Sequence, residues 1–331
     1  MSEILLQYTR GGKVENIHRG DIVAVDAAGN IVDFVGDAQK KMFWRSAAKP
    51  FQVLPFVKKG GLEKFGITLR ELAILVSSHS GEPMHVQLIE EILAKLQLTT
   101  AALDCGPFRP MSGKAAKVLI ENQQRPQAVH NPCSGKHSGM LALGQMLGLS
   151  LAGYTKPEHE IQKIMHKAVA MAARVPEEEL EIGIDGCGVP VFYLPLYNMA
   201  LAYARLGAPE KGQWGECETA VGTIRDAMSA YPEVVGGTGR MDTLVSQITK
   251  GRVIAKIGAD AVYCLVSKEQ GIGAAFKIED GSYAAINPVV IGVLKRLDLI
   301  TAAEHAALLE KFPPILKNHR GDIIGTVETM F

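Results

Sequence analysis

The first residues with evident chemical potential are Ser46 and Lys49, in the stretch Arg45-Ser46-Ala47-Ala48-Lys49-Pro50. A separation of three puts the two side chains on one helix face, a turn apart. A lysine amine beside a serine hydroxyl takes its proton once burial or nearby cations lower the amine's pKa from about 10.4 towards neutrality. Pro50 has no N–H, so a helix carrying this pair should begin close to Ser46, with the hydroxyl at the positive end of its dipole. Alone, the spacing is common, and a capping serine with a solvated lysine satisfies it equally well. The pair becomes informative only if the rest of the chain supplies partners.

Two further stretches do. Ser77-Ser78-His79-Ser80-Gly81-Glu82 closes an apolar helical run, and Lys256-Ile257-Gly258-Ala259 ends a strand-like one. Penicillin-recognising enzymes combine Ser-x-x-Lys with Ser-Asp-Asn and Lys-Thr-Gly elements. Here Ser78-x-Ser80 and Lys256-x-Gly258 follow Ser46-x-x-Lys49 in the same order. Gly258 would let a substrate approach the backbone, and an N–H there could complete an oxyanion hole with that of Ser46. His79 sits beside a turn with no identifiable carboxylate partner and reads as structural.

Two glycine-bearing segments carry cysteines. Asn131-Pro132-Cys133-Ser134-Gly135-Lys136-His137-Ser138-Gly139 is the densest polar stretch; it reads as a loop leading into a helix, suited to cradling an anion with backbone N–H groups. Cys133 near His137 invites a thiol-nucleophile reading, but their spacing in a loop fixes no geometry. Asp185-Gly186-Cys187-Gly188-Val189-Pro190 is a tight bend. Cys133 and Cys187 could together hold a soft metal, or they could be two small buried residues in turns.

These stretches must be positioned by regular elements. Ile4–Tyr8, Asp21–Asp26 and Ile31–Val35 read as strands, the last two joined by a turn at Ala28-Gly29-Asn30. Thr68 to Glu71 is a capping box opening an apolar helix, and His85–Leu96 is amphipathic. Helices are also expected at Ser112–Glu121, Gly139–Leu147, Pro157–Ala173, Tyr197–Leu206 and Gly215–Tyr231, with short extended pieces at Leu180–Gly183 and Val189–Tyr193. Strands return at Val253–Lys256, Ala261–Val266, Gly273–Ile278 and Tyr283–Ile286; helices Val289–Leu297 and Thr301–Lys311 and a last strand near Ile323–Thr329 follow. The pattern predicts an α+β unit whose antiparallel sheet is built from both ends of the chain around a helical insertion. The sheet part would span approximately 1–45 and 250–331, and the mainly helical part approximately 46–249, within one unit.

The chain has 331 residues, no net formal charge, and 47% hydrophobic content, which points away from nucleic-acid and anionic-membrane partners. No secretory signal or transmembrane run is visible, and five dispersed cysteines read as reduced thiols, so a cytoplasmic protein is expected.

Taken together, Arg45 to Gln52, Ser78 to Glu82, Asn131 to Met140, Asp185 to Pro190 and Lys256 to Ala259 resemble the Rhizobium-type (class 3) L-asparaginase family. The segments around Cys133 and Cys187 are the most specific part of the resemblance, which runs in order through most of the chain. It implies a serine β-lactamase-like fold, a homodimer, and hydrolysis of L-asparagine to L-aspartate and ammonia. It further implies two Ser–Lys pairs, Ser46 with Lys49 and Ser78 with Lys256. Arg45, His137 and Asp185 would lie in the substrate pocket, and zinc would be held by Cys133, Lys136 and Cys187. The sequence departs from the family at Phe108, where histidine is expected, and at Ala261, where glycine is more usual. Rival readings are a hydrolase of β-lactams or D-Ala peptides, and a non-catalytic amino-acid sensor on the same fold.

Overall fold

The computed structural model describes residues 2–331. β1 (Glu3–Arg10) and β2 (Lys13–Asp26) form a hairpin over Gly11 and Gly12, both at positive φ. β3 (Ile31–Val35) returns beside β2 after a turn in which the Asp26 carboxylate accepts from the N–H groups of Ala28, Gly29 and Asn30, each at 2.9 Å. β4 (Lys41–Phe43), β5 (Glu181–Ile184) and β6 (Pro190–Pro195) make a small sheet in the order β4-β6-β5. β7 (Val253–Gly258), β8 (Val262–Ser267), β9 (Ile272–Ile278), β10 (Ile315–Lys317) and β11 (Ile323–Thr329) complete the set.

The main sheet runs β10-β11-β1-β2-β9-β8-β7, with β3 also on β2. The pairs β1–β11 and β2–β9, both antiparallel, weld the two ends of the chain into one sheet. The expected α+β layout is therefore present, with helices between β4 and β7 interrupted only by β5 and β6. Among the described residues, no helix is long and apolar enough to cross a membrane.

Side-chain alternation along the strands divides the interior in two. Val23, Val25, Ile254, Val262, Cys264 and Ala275 face the helical layer, where the Leu196–Gly207 helix crosses the sheet. That helix lies so close to β9 that a Cβ on Gly273 would stand 2.2 Å from the Ala204 nitrogen. Ile22, Ala24, Val253, Ala255, Tyr263 and Phe276 face the C-terminal helices Ile286–Arg296 and Ala302–Lys311. Lys256 shares its strand face with Ile254, so its amine is directed between the sheet and the helical layer.

Three expectations need correction. Tyr283–Ala285 is a 3-10 turn and not a strand. The Asp280 side chain accepts from the Ser282 N–H and bends the chain, and Pro288 then sits in the first turn of the Ile286–Arg296 helix, where no N–H is needed. The polar stretch after Pro132 is not an open loop: its helix begins at Ser134, and every residue from Ser134 to Gly144 is buried. Small residues permit this, since a Cβ on Gly135 would lie 1.9 Å from the Ile74 carbonyl oxygen. Finally, Met241–Ile248 is a helix that periodicity did not reveal.

Candidate active site

Ser46 lies in a 3-10 turn, Arg45–Ala48, that runs into a four-residue helix, Lys49–Gln52. The turn is anchored by its apolar residues: Trp44 packs on Phe51 at 5.1 Å between ring centroids, and the Tyr203 hydroxyl donates to the Ala47 carbonyl at 2.9 Å. Arg45 itself adopts φ +53°, a left-handed conformation that is uncommon outside glycine. The Lys49 side chain is 1% exposed. Its amine donates to the Ser77 carbonyl at 2.6 Å and the Pro132 carbonyl at 3.2 Å, and lies 3.0 Å from Ser78 Oγ. Among the described residues none of its hydrogen bonds goes to Ser46.

Lys256, fully buried, approaches the same Ser78 Oγ from the other side at 2.7 Å and also donates to the Ile257 carbonyl at 2.9 Å. Ser78 thus stands between two amines. Burial pushes the Lys49 pKa down, and Lys136 adds to that; burial and the Lys49 charge push Lys256 well down. Two of the positions on the Lys49 amine are spent on carbonyls, and the third faces the Ser78 hydroxyl.

Arg45 reaches two carboxylates. Its Nη2 donates to Asp185 Oδ1 at 2.9 Å, and its Nη1 donates to Asp260, in the β7–β8 turn. Its Nε is buried without a partner. Burial raises the Asp185 pKa, but Lys136 and Arg45 outweigh it and hold the carboxyl below its usual value. Asp260 and Ala261 both have positive φ, which explains why glycine would suit position 261 better than alanine. Asp260 adjoins the Lys256 motif, yet nothing in its spacing marked it as a partner of Arg45.

Cys133, Asp185 and Cys187 offer ligand atoms that all lie within 4.8 Å of one another, and the Lys136 amine is 3.2 Å from Cys187 Sγ. A hydrogen bond from Cys187, with help from Lys49 and Lys136, holds the Cys133 thiol well below its ordinary pKa despite burial. Two buried sulfurs and a carboxylate fit a borderline-soft divalent ion such as zinc; burial lowers the Lys136 pKa but the two cysteines and Asp185 outweigh it, so this amine would join them only on giving up its proton. Asp185, expected only as a substrate contact, belongs to this donor set as well. All five cysteines are unpaired and buried.

His137 follows Lys136 on the same buried helix. Tyr154 Oη accepts from the Asp104 N–H at 2.9 Å and shares a 2.7 Å hydrogen bond with His137 Nδ1. The other ring nitrogen, Nε2, is buried and has no partner. Burial and the charge of Lys136 keep the imidazole neutral by pushing its pKa well down. His79 is held by Ser134 Oγ at 2.8 Å and the Gly81 N–H at 3.1 Å, a purely internal arrangement. Beside the cluster, Ser80, Arg240 and Ile257 help line a cavity of about 960 Å³, which the reactive side chains themselves do not line.

The structure thus sets a buried serine between two lysine amines, near the Arg45, Asp185 and Asp260 charges. The model of one family, L-asparaginase II, matches residues 6–329, and the chain belongs to that family of hydrolases. No curated protein matches. Similar solved structures include a candidate beta-lactamase from Bacteroides dorei DSM 17855 (TM-score 0.43, 11% identity, 83% of this chain and 93% of that one). A beta-lactamase from Mycobacterium bovis is also similar (TM-score 0.42, 11% identity, 84% and 94%).

Proposed function

We propose that this protein hydrolyses L-asparagine to L-aspartate and ammonia through a serine nucleophile served by lysine. The observation that carries this reading is Ser78 Oγ at 3.0 Å from Lys49 and 2.7 Å from Lys256, both amines buried and depressed in pKa. Ser78 is 7% exposed, whereas Ser46 is more open. Burial therefore favours Ser46 as the attacking group and Ser78 as the relay to the lysines.

In this scheme Ser46 Oγ bonds to the side-chain amide carbon, and its proton passes through Ser78 to Lys49. Backbone N–H groups stabilise the oxyanion. The C–N bond then breaks as Lys49 returns the proton to the departing ammonia, leaving a β-aspartyl ester. Water, deprotonated by the same relay, attacks that ester; aspartate leaves and Ser46 regains its proton. The ammonium and carboxylate of an α-amino acid share one carbon, which suits the adjacent Asp185 and Arg45. Those two groups neutralise each other until substrate separates them.

Cys133, Lys136 and Cys187 would hold zinc, with Asp185 as a further donor. The ion would supply positive charge that keeps both thiols deprotonated and stiffens the pocket floor. A homodimer fits the same reading, and the exposed apolar side chains Ile31, Val32 and Phe34 on β3 favour one. Ammonia release from asparagine and glutamine, beside hydrolysis of a chromogenic β-lactam, tests the substrate. Turnover of the β-lactam without ammonia from either amide would overturn the proposal; asparagine binding with no turnover would favour a sensor.

A further inference from the structure

The segment Val235–Thr243 lies along Ser78–Glu82 and holds it at several points. The Ser78 N–H donates to the Val235 carbonyl at 2.9 Å, and Ser80 Oγ donates to the Gly236 carbonyl at 3.2 Å. The Glu82 carboxylate accepts from the Thr238 N–H at 2.9 Å and from Thr238 Oγ1 at 2.7 Å. Arg240 Nη1 donates to the Ser78 carbonyl at 3.0 Å. Both backbone polar groups of Ser78 are therefore taken by this one segment.

The guanidinium is fixed from behind. Its Nε is 3.5 Å from Asp242 Oδ1, and Asp242 is 4% exposed. The carboxylate sits against the bare Cα of Gly236, where an added Cβ would stand 2.8 Å from Oδ1. Gly237, at φ +137°, allows the matching approach to Ser80: a Cβ there would lie 2.2 Å from Ser80 Oγ. An aspartate in the first turn of a helix is commonplace. This one differs in that its arginine partner extends its other arm to the carbonyl of the serine between the two lysines. A planar fork can make both contacts at once; an ammonium is a single point and cannot.

We infer that Arg240 and Asp242 are a positioning pair, with Asp242 orienting Arg240 and Arg240 holding the Ser78 hydroxyl at the meeting point of Lys49 and Lys256. The inference rests on the proposed role of Ser78 in proton transfer. A shift of about 1 Å at that hydroxyl is enough to lower turnover by roughly 100-fold while leaving the Arg45 and Asp185 pocket intact.

The test compares steady-state ammonia release by Arg240→Ala, Arg240→Lys and Asp242→Asn, with Ser78→Ala alongside. Arg240→Ala is expected to lose about 10–100-fold in kcat with KM changed less than about threefold. Guanidinium chloride at low millimolar concentration, admitted by the cavity that Arg240 lines, should restore part of that kcat and leave wild type unaffected. Arg240→Lys should stay impaired. A kcat within about threefold of wild type in Arg240→Ala, or a loss that guanidinium does not rescue, overturns the inference. Should Arg240→Ala fail to fold, the isosteric Asp242→Asn decides: a several-fold fall in kcat at unchanged KM supports the pair, and unchanged kcat rejects it. A fully active Ser78→Ala would instead remove the role of Ser78 itself, whereas an inactive one beside an unaffected Arg240→Ala removes only the clamp.

Discussion

Replacing Lys256 with methionine should abolish turnover and yet make the fold more stable. The Lys256 amine is fully buried, and its hydrogen bonds go to Ser78 Oγ and the Ile257 carbonyl, neither of which carries charge. Burial, then the neighbouring Lys49, drives its pKa well down. Bringing an amine of ordinary pKa, about 10.4, to the neutral form at pH 7 costs roughly 4–5 kcal/mol. Methionine is nearly isosteric with the lysine stem and removes that cost, while the two lost hydrogen bonds return about 1–3 kcal/mol. The expected net gain is about 1–4 kcal/mol, or roughly 1.5–6 °C in Tm for a chain of this size.

The pH dependence follows from the direction of the shift. A lysine whose folded pKa is depressed binds its proton more readily in the unfolded chain, so the wild-type protein gains stability as pH rises towards the unfolded value. The advantage of Lys256→Met should therefore shrink as pH rises from neutrality towards about 10. Calorimetric Tm values at pH 7 and at about pH 9.5, at one fixed protein concentration, check both sign and trend. A variant that melts below wild type at pH 7, or a difference that ignores pH, would refute the reasoning.

Two further outcomes are expected. Protein purified without added metal should carry about one zinc per chain by elemental analysis, and Cys133→Ser or Cys187→Ser should lose it; metal retained by both variants rejects the thiol ligands. Asp260→Asn keeps a side chain that tolerates positive φ but releases one anchor of Arg45. Because Asp260 is exposed, KM for asparagine should rise only about 2–5-fold with kcat nearly unchanged, and a larger fall in kcat than in affinity would contradict a binding role for Arg45.

The sheet was readable from sequence because its strands alternate and the turn between β2 and β3 carries Gly29-Asn30. Site residues were readable where chemistry imposed unusual pairs of residue types: Ser46 with Lys49, Lys256 with Gly258, Cys187 between two glycines. What spacing could not give was partnership. Lys49 is three residues from Ser46, but it opens a separate four-residue helix, with Pro50 in its first turn, and its amine is aimed at Ser78 instead. Polar content disguised the buried Ser134–Met146 helix as a loop, since hydropathy carries no record of glycines packed on a neighbouring backbone. Arg240 and Asp242 lay hidden because their helix has only eight residues and no marked start signal.

Attack on the amide by a serine whose proton passes to lysine is tested most directly by one measurement. Ammonia release from L-asparagine should be readily detected for the wild-type protein and fall by about three orders of magnitude or more in a folded Ser46→Ala variant. Turnover in Ser46→Ala close to that of wild type would contradict the account, and its loss only in Ser78→Ala would move the nucleophile to Ser78.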